Sequence, residues 1–291
     1  MSMKDLHCSM TVVLAALTLL TGPALGAEPQ STLDKIKTTR TITIGHRDAS
    51  RPFSFLDTDG KPAGYSVDLC VRIANALQQE LGLRELAVKW VKVTPENRLT
   101  MVANGTVDIE CGSTTNTLSR QEQVDFTSMT FVDGGSLLVT DASKINGIGD
   151  LNGKRVAVIP GTTTEKALMD AVAKAVVTPQ IVKVPDHAQG LAALERGNAD
   201  AYASDRILLI GLGRTLKDTS KFSVAREYFS YEPYGLVVRR GDASFRLAVN
   251  RTLARLYRSA EVVRIYEKWF GDMGSPSPLL QAMYILNGLP E

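Results

Sequence analysis

Residues 103–113 read ANGTVDIECGS, and residues 194–205 read LERGNADAYASD. Each segment closes a helical pattern on a glycine, sets an aspartate three residues later (Asp108 and Asp200), and runs into a strand. In that register Ser113 and Asp205 stand at the same step, five residues past their aspartates. An outline met twice points to an internal duplication, with polar residues delivered just past a strand in both halves. Such positions matter because open parallel sheets bind ligands beyond the carboxyl ends of their strands.

Working outward, strand and helix signals alternate from Thr32 onward. RTITIGH (40–46) has the polar and apolar alternation of a strand, and LAVKWVKV (86–93) reads as a second. Between them, SVDLCVRIANALQQELG (66–82) puts Val67, Cys70, Val71, Ala74, Leu77 and Leu81 near one helical face, with Ser66 as its cap and Gly82 as its stop. PENRLTMVANG (95–105) reads as a short helix opened by Pro95. TVDIECG is a third strand, and a helix starts near Ser119, which has capping-box spacing to Glu122. A second run of the same kind starts at DLNGKRVAVIPGTTTEKALMDAVAKA (150–175) and continues through QIVKVPD, HAQGLAALERG and ADAYASD. The first strands of the two runs also match: TITIGHR delivers Arg47, and VAVIPGTT delivers Thr162 and Thr163. This alternation predicts an α/β protein with a largely parallel sheet covered by helices. Two strand-like stretches, 133–140 and 229–238, are expected to cross between two domains. Residues 32–136 with 234–291 would form the first domain and residues 137–233 the second. SFRLAVNRTLARLYRSAEVVRIYEKWF (244–270) reads as one or two amphipathic helices.

Composition narrows the function. The chain has 291 residues and a net charge of +2, with no block of Lys and Arg among aromatics, which speaks against a nucleic-acid partner. Lys4, an apolar run over 10–20 and small residues at Ala24, Gly26 and Ala27 describe a secretory signal peptide over residues 1–27. The mature chain is thus expected to be soluble and periplasmic. Cys70 and Cys111 remain after its removal, an even pair that invites a disulfide in an oxidising compartment; two buried thiols are the alternative.

GSTTNTLSR (112–120) admits three chemistries: a nucleophile, a metal site or an anion cradle. Ser113, Thr114 and Thr115 lack a nearby base, since the mature histidines are His46 and His187, and no G-x-S-x-G elbow occurs. Cys111 and two scattered histidines have no metal-ligand spacing, and no phosphate-binding or calcium loop can be read, so neither metal nor cofactor is expected. The cradle needs only hydroxyls and N–H groups at a helix start, with Arg120 able to fork onto a carboxylate. Gly161 and Thr162 precede another helix in the same way. Plain N-capping is the competing role for Ser119 and Thr162.

The segments PFSFLDTDGKPAGYSVDLCVRIA, GTVDIECGSTTNTLSRQEQVDFT and LNGKRVAVIPGTTTEKAL resemble the type II periplasmic solute-binding proteins for amino acids, which serve ABC importers. The series GHRDASRPFSF, ENRL, LSRQ, PGTTTE, DHAQG and ASD is closer still to the glutamate/aspartate-binding subgroup. The resemblance implies a two-domain fold with its ligand cleft between domains joined by a two-strand hinge. It further implies that Arg120 grips the ligand's α-carboxylate, supported by Ser113 and Thr115 and, from the other domain, by Thr163. Asp205 would accept the α-ammonium. Arg47, Arg98 and His187 would surround the side-chain carboxylate. His46 competes with Arg47, because neighbours on a strand face opposite ways. Pro95 stands where the subgroup commonly has a serine, which leaves the choice between glutamate and aspartate open. Charge matching agrees, since a neutral ligand would leave Arg47 and Arg98 unpaired in a desolvated cleft. The expected ligand is therefore L-glutamate or L-aspartate, the expected partners are ABC-transporter permease subunits, and a monomer suits the shuttle. The alternative is an exported cyclohexadienyl (prephenate or arogenate) dehydratase on the same fold, with Asp205 or Glu110 as its acid.

Overall fold

A computed structural model of the protein describes residues 31–290. The proposed signal peptide lies outside them. Two five-stranded sheets with helices on their faces form the α/β architecture.

In the first sheet, β1 (Thr41–His46) pairs in parallel with both β5 (Ala87–Lys92) and β6 (Ile109–Glu110). β13 (Glu232–Arg239) runs antiparallel between β6 and β7 (Val124–Asp133). The second sheet repeats this plan. β9 (Arg155–Val158) pairs in parallel with β10 (Gln180–Lys183) and β11 (Ala201–Asp205), and β8 (Gly135–Thr140) runs antiparallel between β11 and β12 (Phe222–Val224). The orders β5–β1–β6–β13–β7 and β10–β9–β11–β8–β12 correspond strand for strand. A small sheet of β2 (Ala49–Ser50), β3 (Ser54–Leu56) and β4 (Pro62–Ala63) lies before the helix that follows β1. The expectation of largely parallel sheets holds: four of the five strands in each run the same way, and β13 in the first sheet and β8 in the second run against them. The cause is the crossing. β7 continues through Gly134 into β8, and the chain from β12 returns through β13, so each sheet receives a strand that enters from the other lobe.

Burial on both faces explains the apolar strands. Along β9 and just past it, Val156 and Val158 join one core while Ala157 and Ile159 join the core on the opposite face. In the first lobe, Ile42, Ile44 and Ile109 pack against α2 (Tyr65–Glu80), α8 (Ala243–Arg258) and α9 (Glu261–Phe270), around Phe53, Phe131 and Tyr234. Ala260, in the left-handed region, breaks α8 from α9, and α10 (Pro278–Asn287) adds Tyr284, whose hydroxyl meets that of Tyr65 at 2.9 Å.

Several helix starts differ from their sequence expectation. Gly64 stands at the N-cap of α2, and Ser66 lies inside the helix with its hydroxyl donating to Gly112 O at 2.7 Å. Gly82 ends that helix as expected, at φ +64. Pro95 lies in the turn before α3 (Arg98–Ala103), whose N-cap is Asn97. Thr117, not Ser119, caps α4 (Leu118–Gln121) by accepting from Arg120 N, and Glu122 sits at its far end. A hydroxyl one or two residues away competes for every such N–H, so spacing alone did not choose the cap.

The duplicated outline has one physical meaning in both lobes. Gly105 and Gly197 take positive φ to end their helices. Asp108 then accepts Thr43 N with its carboxylate at 2.8 Å, and Asp200 likewise accepts Arg155 N at 2.8 Å. Each aspartate thereby fixes the incoming strand against the first strand of its sheet. Lys35 of α1 (Thr32–Thr39) neutralises Asp108, and Arg155 itself neutralises Asp200.

Candidate functional site

The strand ends deliver their polar residues to one place. Arg47, Arg98, Ser113, Thr115, Thr163, His187 and Asp205 line a single pocket, so seven of the eight ligand residues expected from the sequence are brought together. Arg120 is not in its lining. Its guanidinium instead donates to Thr115 O at 2.9 Å, behind the loop that Thr115 presents. His46 is excluded: it faces Trp90 edge to face and Asp48, away from the pocket.

The loop 111–117 is held from every side. Cys111 is bonded to Cys70 of α2, with Cα atoms 6.4 Å apart. The pair expected from cysteine arithmetic therefore staples the ligand-facing loop to a helix of the core. Ser66 grips Gly112 O, Thr114 O accepts Gly235 N at 3.2 Å, and Asn116 N donates to Pro233 O at 2.7 Å. Gly112 has no room for a side chain, because a Cβ would run into the Glu110 carboxylate and the Arg47 stem. Glu110 is fully buried, accepts the Thr114 hydroxyl at 2.7 Å on Oε2, and leaves Oε1 without a partner among the described residues.

Across the pocket, α5 (Thr163–Ala175) starts with Thr162 at its N-cap, accepting Glu165 N at 3.0 Å, while Gly161 N donates to Glu165 at 2.8 Å. Thr162 thus has the capping role that competed with ligand binding, and it lines the cleft together with Thr163 and Thr164. Thr164 donates to Asp205 Oδ1 at 2.6 Å, and the Tyr234 hydroxyl donates to Oδ2. His187 opens α6 (His187–Glu195), with Asp186 as its cap, and its Nδ1 lies 2.6 Å from the Tyr202 hydroxyl.

Charge divides the pocket. Burial, then the neighbouring Arg98 guanidinium, lowers both Arg47 and Arg120 to about 10, so both stay protonated at neutral pH at a cost. Arg98 is buried, its Nε has no partner among the described residues, and its only protein contact of note is a long 3.4 Å bond to Ser113 O. Three crowded guanidiniums with spare donors favour an anion strongly. The second lobe contributes Asp205, raised to about 6 by burial first and by Glu232 second. Burial, with Arg47 and Arg98 beside it, lowers His187 to about 3, so it meets any ligand as a neutral imidazole. Among the described residues no group of His, Cys, Asp and Glu is placed to hold a metal, and no helix is long and apolar enough to cross a membrane.

Sequence reasoning missed four supporting residues: Thr164, Tyr202, Tyr234 and Glu232. The last is 1% exposed and accepts both the Thr115 and Thr163 hydroxyls. Its signal was present in SYEPYGLVV, where an acid interrupts a strand that otherwise reads as buried.

With this geometry in view, comparison with known proteins is informative. Residues 42–272 match the family described as Bacterial extracellular solute-binding proteins, family 3. The chain is 44% identical over 270 residues, 92% of its length and 89% of the relative's, to an L-glutamate/L-aspartate-binding protein of Pseudomonas aeruginosa. It is 37% identical over 257 residues to a glutamate/aspartate import solute-binding protein of Salmonella typhimurium, covering 88% of this chain and 84% of that one. Among solved structures, an ancestral amino acid-binding protein described as a precursor of cyclohexadienyl dehydratase superposes with a TM-score of 0.70 at 29% identity, over 83% of this chain and all of that one.

Proposed function

Because the chain belongs to the bacterial extracellular solute-binding proteins of family 3, we propose that it captures L-glutamate or L-aspartate outside the cytoplasmic membrane and delivers it to an ABC importer. The observation that carries this reading is the pocket's charge: the first lobe brings Arg47 and Arg98, the latter with a buried Nε unpaired among the described residues, and the second brings Asp205. A dicarboxylic amino acid brings two negative groups and one positive to that layout. Guanidiniums desolvated together in a cleft are stabilised by such a ligand and not by a neutral one.

In this reading Arg47, Arg98 and His187 face the side-chain carboxylate. Ser113 and Thr115 shape the amino-acid end, with Thr163 opposite and Asp205 as the anchor of the ammonium. Arg120 closes on the α-carboxylate once it swings from Thr115 O. Residues 32–136 with 234–291 act as one body and 137–233 as the other, closing over the ligand through the two crossings. The protein works as a periplasmic monomer after a signal peptide over 1–27 is removed, and its partners are the permease subunits. Its role is capture rather than catalysis, in keeping with the names of the two curated relatives.

The test is isothermal calorimetry against the twenty amino acids and the C4 and C5 dicarboxylates. Micromolar or tighter binding, about 8 kcal/mol or more, is expected for glutamate or aspartate alone. Silence toward both overturns the proposal. Release of an aromatic product from prephenate or arogenate would replace it with the dehydratase.

A further inference from the structure

Glu232 occupies a position that neither lobe could supply alone. It opens β13 at the crossing between the sheets. Its Oε2 accepts the Thr115 hydroxyl at 2.5 Å from the first lobe and the Thr163 hydroxyl at 2.6 Å from the second. Its Oε1 accepts the Ser230 hydroxyl at 2.6 Å, and Ser230 Oγ in turn accepts Gly135 N of the other crossing at 2.8 Å. One buried carboxylate thus gathers both walls of the pocket and both hinge strands.

The chemistry of a hydroxyl gives this arrangement a consequence for the ligand. A threonine has one O–H proton and two lone pairs. Thr163 Oγ1 also lies 3.2 Å from Thr115 Oγ1, but its single proton goes to the nearer carboxylate; with both protons directed at Glu232, only lone pairs remain to face the pocket, which the two threonines line. Their hydroxyls then accept and do not donate. We infer that Glu232 is a positioning residue that sets the polarity of the site, turning Thr115 and Thr163 into acceptors that read a ligand's amine together with Asp205. This rests on the amino-acid reading above and revises one part of it: a ligand carboxylate near α5 is left to backbone N–H groups and Arg120, not to these two hydroxyls.

An amide in place of the carboxylate reverses the polarity, because a glutamine NH2 donates to the threonine oxygens and releases their protons toward the pocket. The discriminating pair of probes is L-glutamate and glutarate, which differ only in the α-amine. In wild type L-glutamate should win clearly. In Glu232→Gln its affinity should fall about tenfold or more while that of glutarate changes by less than about threefold, the size of one charge-assisted hydrogen bond against none. Thr115→Val should narrow the same preference, and adding Glu232→Gln to it should narrow the preference little further; this second variant decides the matter if Glu232→Gln does not fold. Equal loss for both probes, or an unchanged preference, overturns the inference and leaves Glu232 a purely structural tie. Wild-type protein that binds neither probe nor L-aspartate overturns the amino-acid reading itself, and this inference with it.

Discussion

The two lobes share one skeleton and carry opposite chemistry. β1 and β9 hold matching places, as do β6 and β11, and Asp108 and Asp200 fix them by the same backbone bond. Just past these strands the lobes part. The first presents Arg47 at the end of β1 and Ser113, beside Arg98, on a loop tied to α2 by a disulfide. The second presents Asp205 on a strand end with no covalent tie, facing the start of a thirteen-residue helix. Duplication supplied two equivalent strand-end stations, and divergence gave them complementary charge. A ligand with charge of both signs bridges such walls, whereas two identical lobes would repel or ignore it.

The comparison can be strained at its strongest point first. Replacing Cys70 and Cys111 together by alanine frees a loop whose ends are 41 residues apart in sequence, which lowers stability by about 4 kcal/mol in the chain-entropy model. Urea melts read this directly, and a loss below about 1 kcal/mol would mean that the first lobe needs its tie no more than the second. Next, Arg98→Ala removes a cation from one wall only. Calorimetry should show acidic amino acids weakened about 100-fold, equivalent to charge-assisted hydrogen bonds of up to 3 kcal/mol. Equal binding by wild type and variant would dissolve the contrast between walls.

A paired substitution compares the shared brace. Asp108 is nearly sealed, with its side chain 4% exposed, against 27% for Asp200. Asp108→Ala should cost about 2–3 kcal/mol and Asp200→Ala about 1, since each leaves a strand N–H unpaired but the site at Asp108 is the more closed to water. Thermal melts of the two variants side by side give the ranking, and the reverse order would contradict it.

The smallest effect is on pH. Asp205 titrates near 6 beside Glu232, Arg98, Thr164 and Tyr234, held up by burial and by Glu232. For an acid raised in the folded state, protonation is favoured as pH falls, and the protonated form cannot pair with an ammonium. Affinity should therefore be full above pH 6 and decline up to about tenfold per unit below it. His187, neutral throughout that window, should add no step near its ordinary 6.5. A flat profile from pH 5 to 7 would remove Asp205 from the amine end.

Much of this molecule was legible in its residues because the signals were local. Strand alternation, the Gly-then-Asp outline and the cysteine pair each needed only a short window. Cap choice was less legible, as Ser66 and Ser119 show, since several hydroxyls compete for one N–H and packing picks among them. The one reversed strand in each sheet was not legible because it enters from the opposite lobe, a fact of topology rather than pattern. Glu232 was missed for a related reason. Two of its partners lie 117 and 69 residues away in sequence, so the buried acid in SYEPYGLVV stands out while its place in the cleft does not.

The placement of β13 has a consequence for how the chain comes to be folded. It pairs with both β6 and β7, so the sheet of the first lobe stays incomplete until residues 232–239 have been made, although its other strands are finished by residue 133. Long-range pairing of this kind carries loop-closure entropy before any contact rewards it, and it slows folding. The nascent chain consequently spends most of its synthesis with an open sheet. Completion falls to the last fifth of the polypeptide, so a truncation anywhere before residue 232 would forfeit the lobe that was begun first.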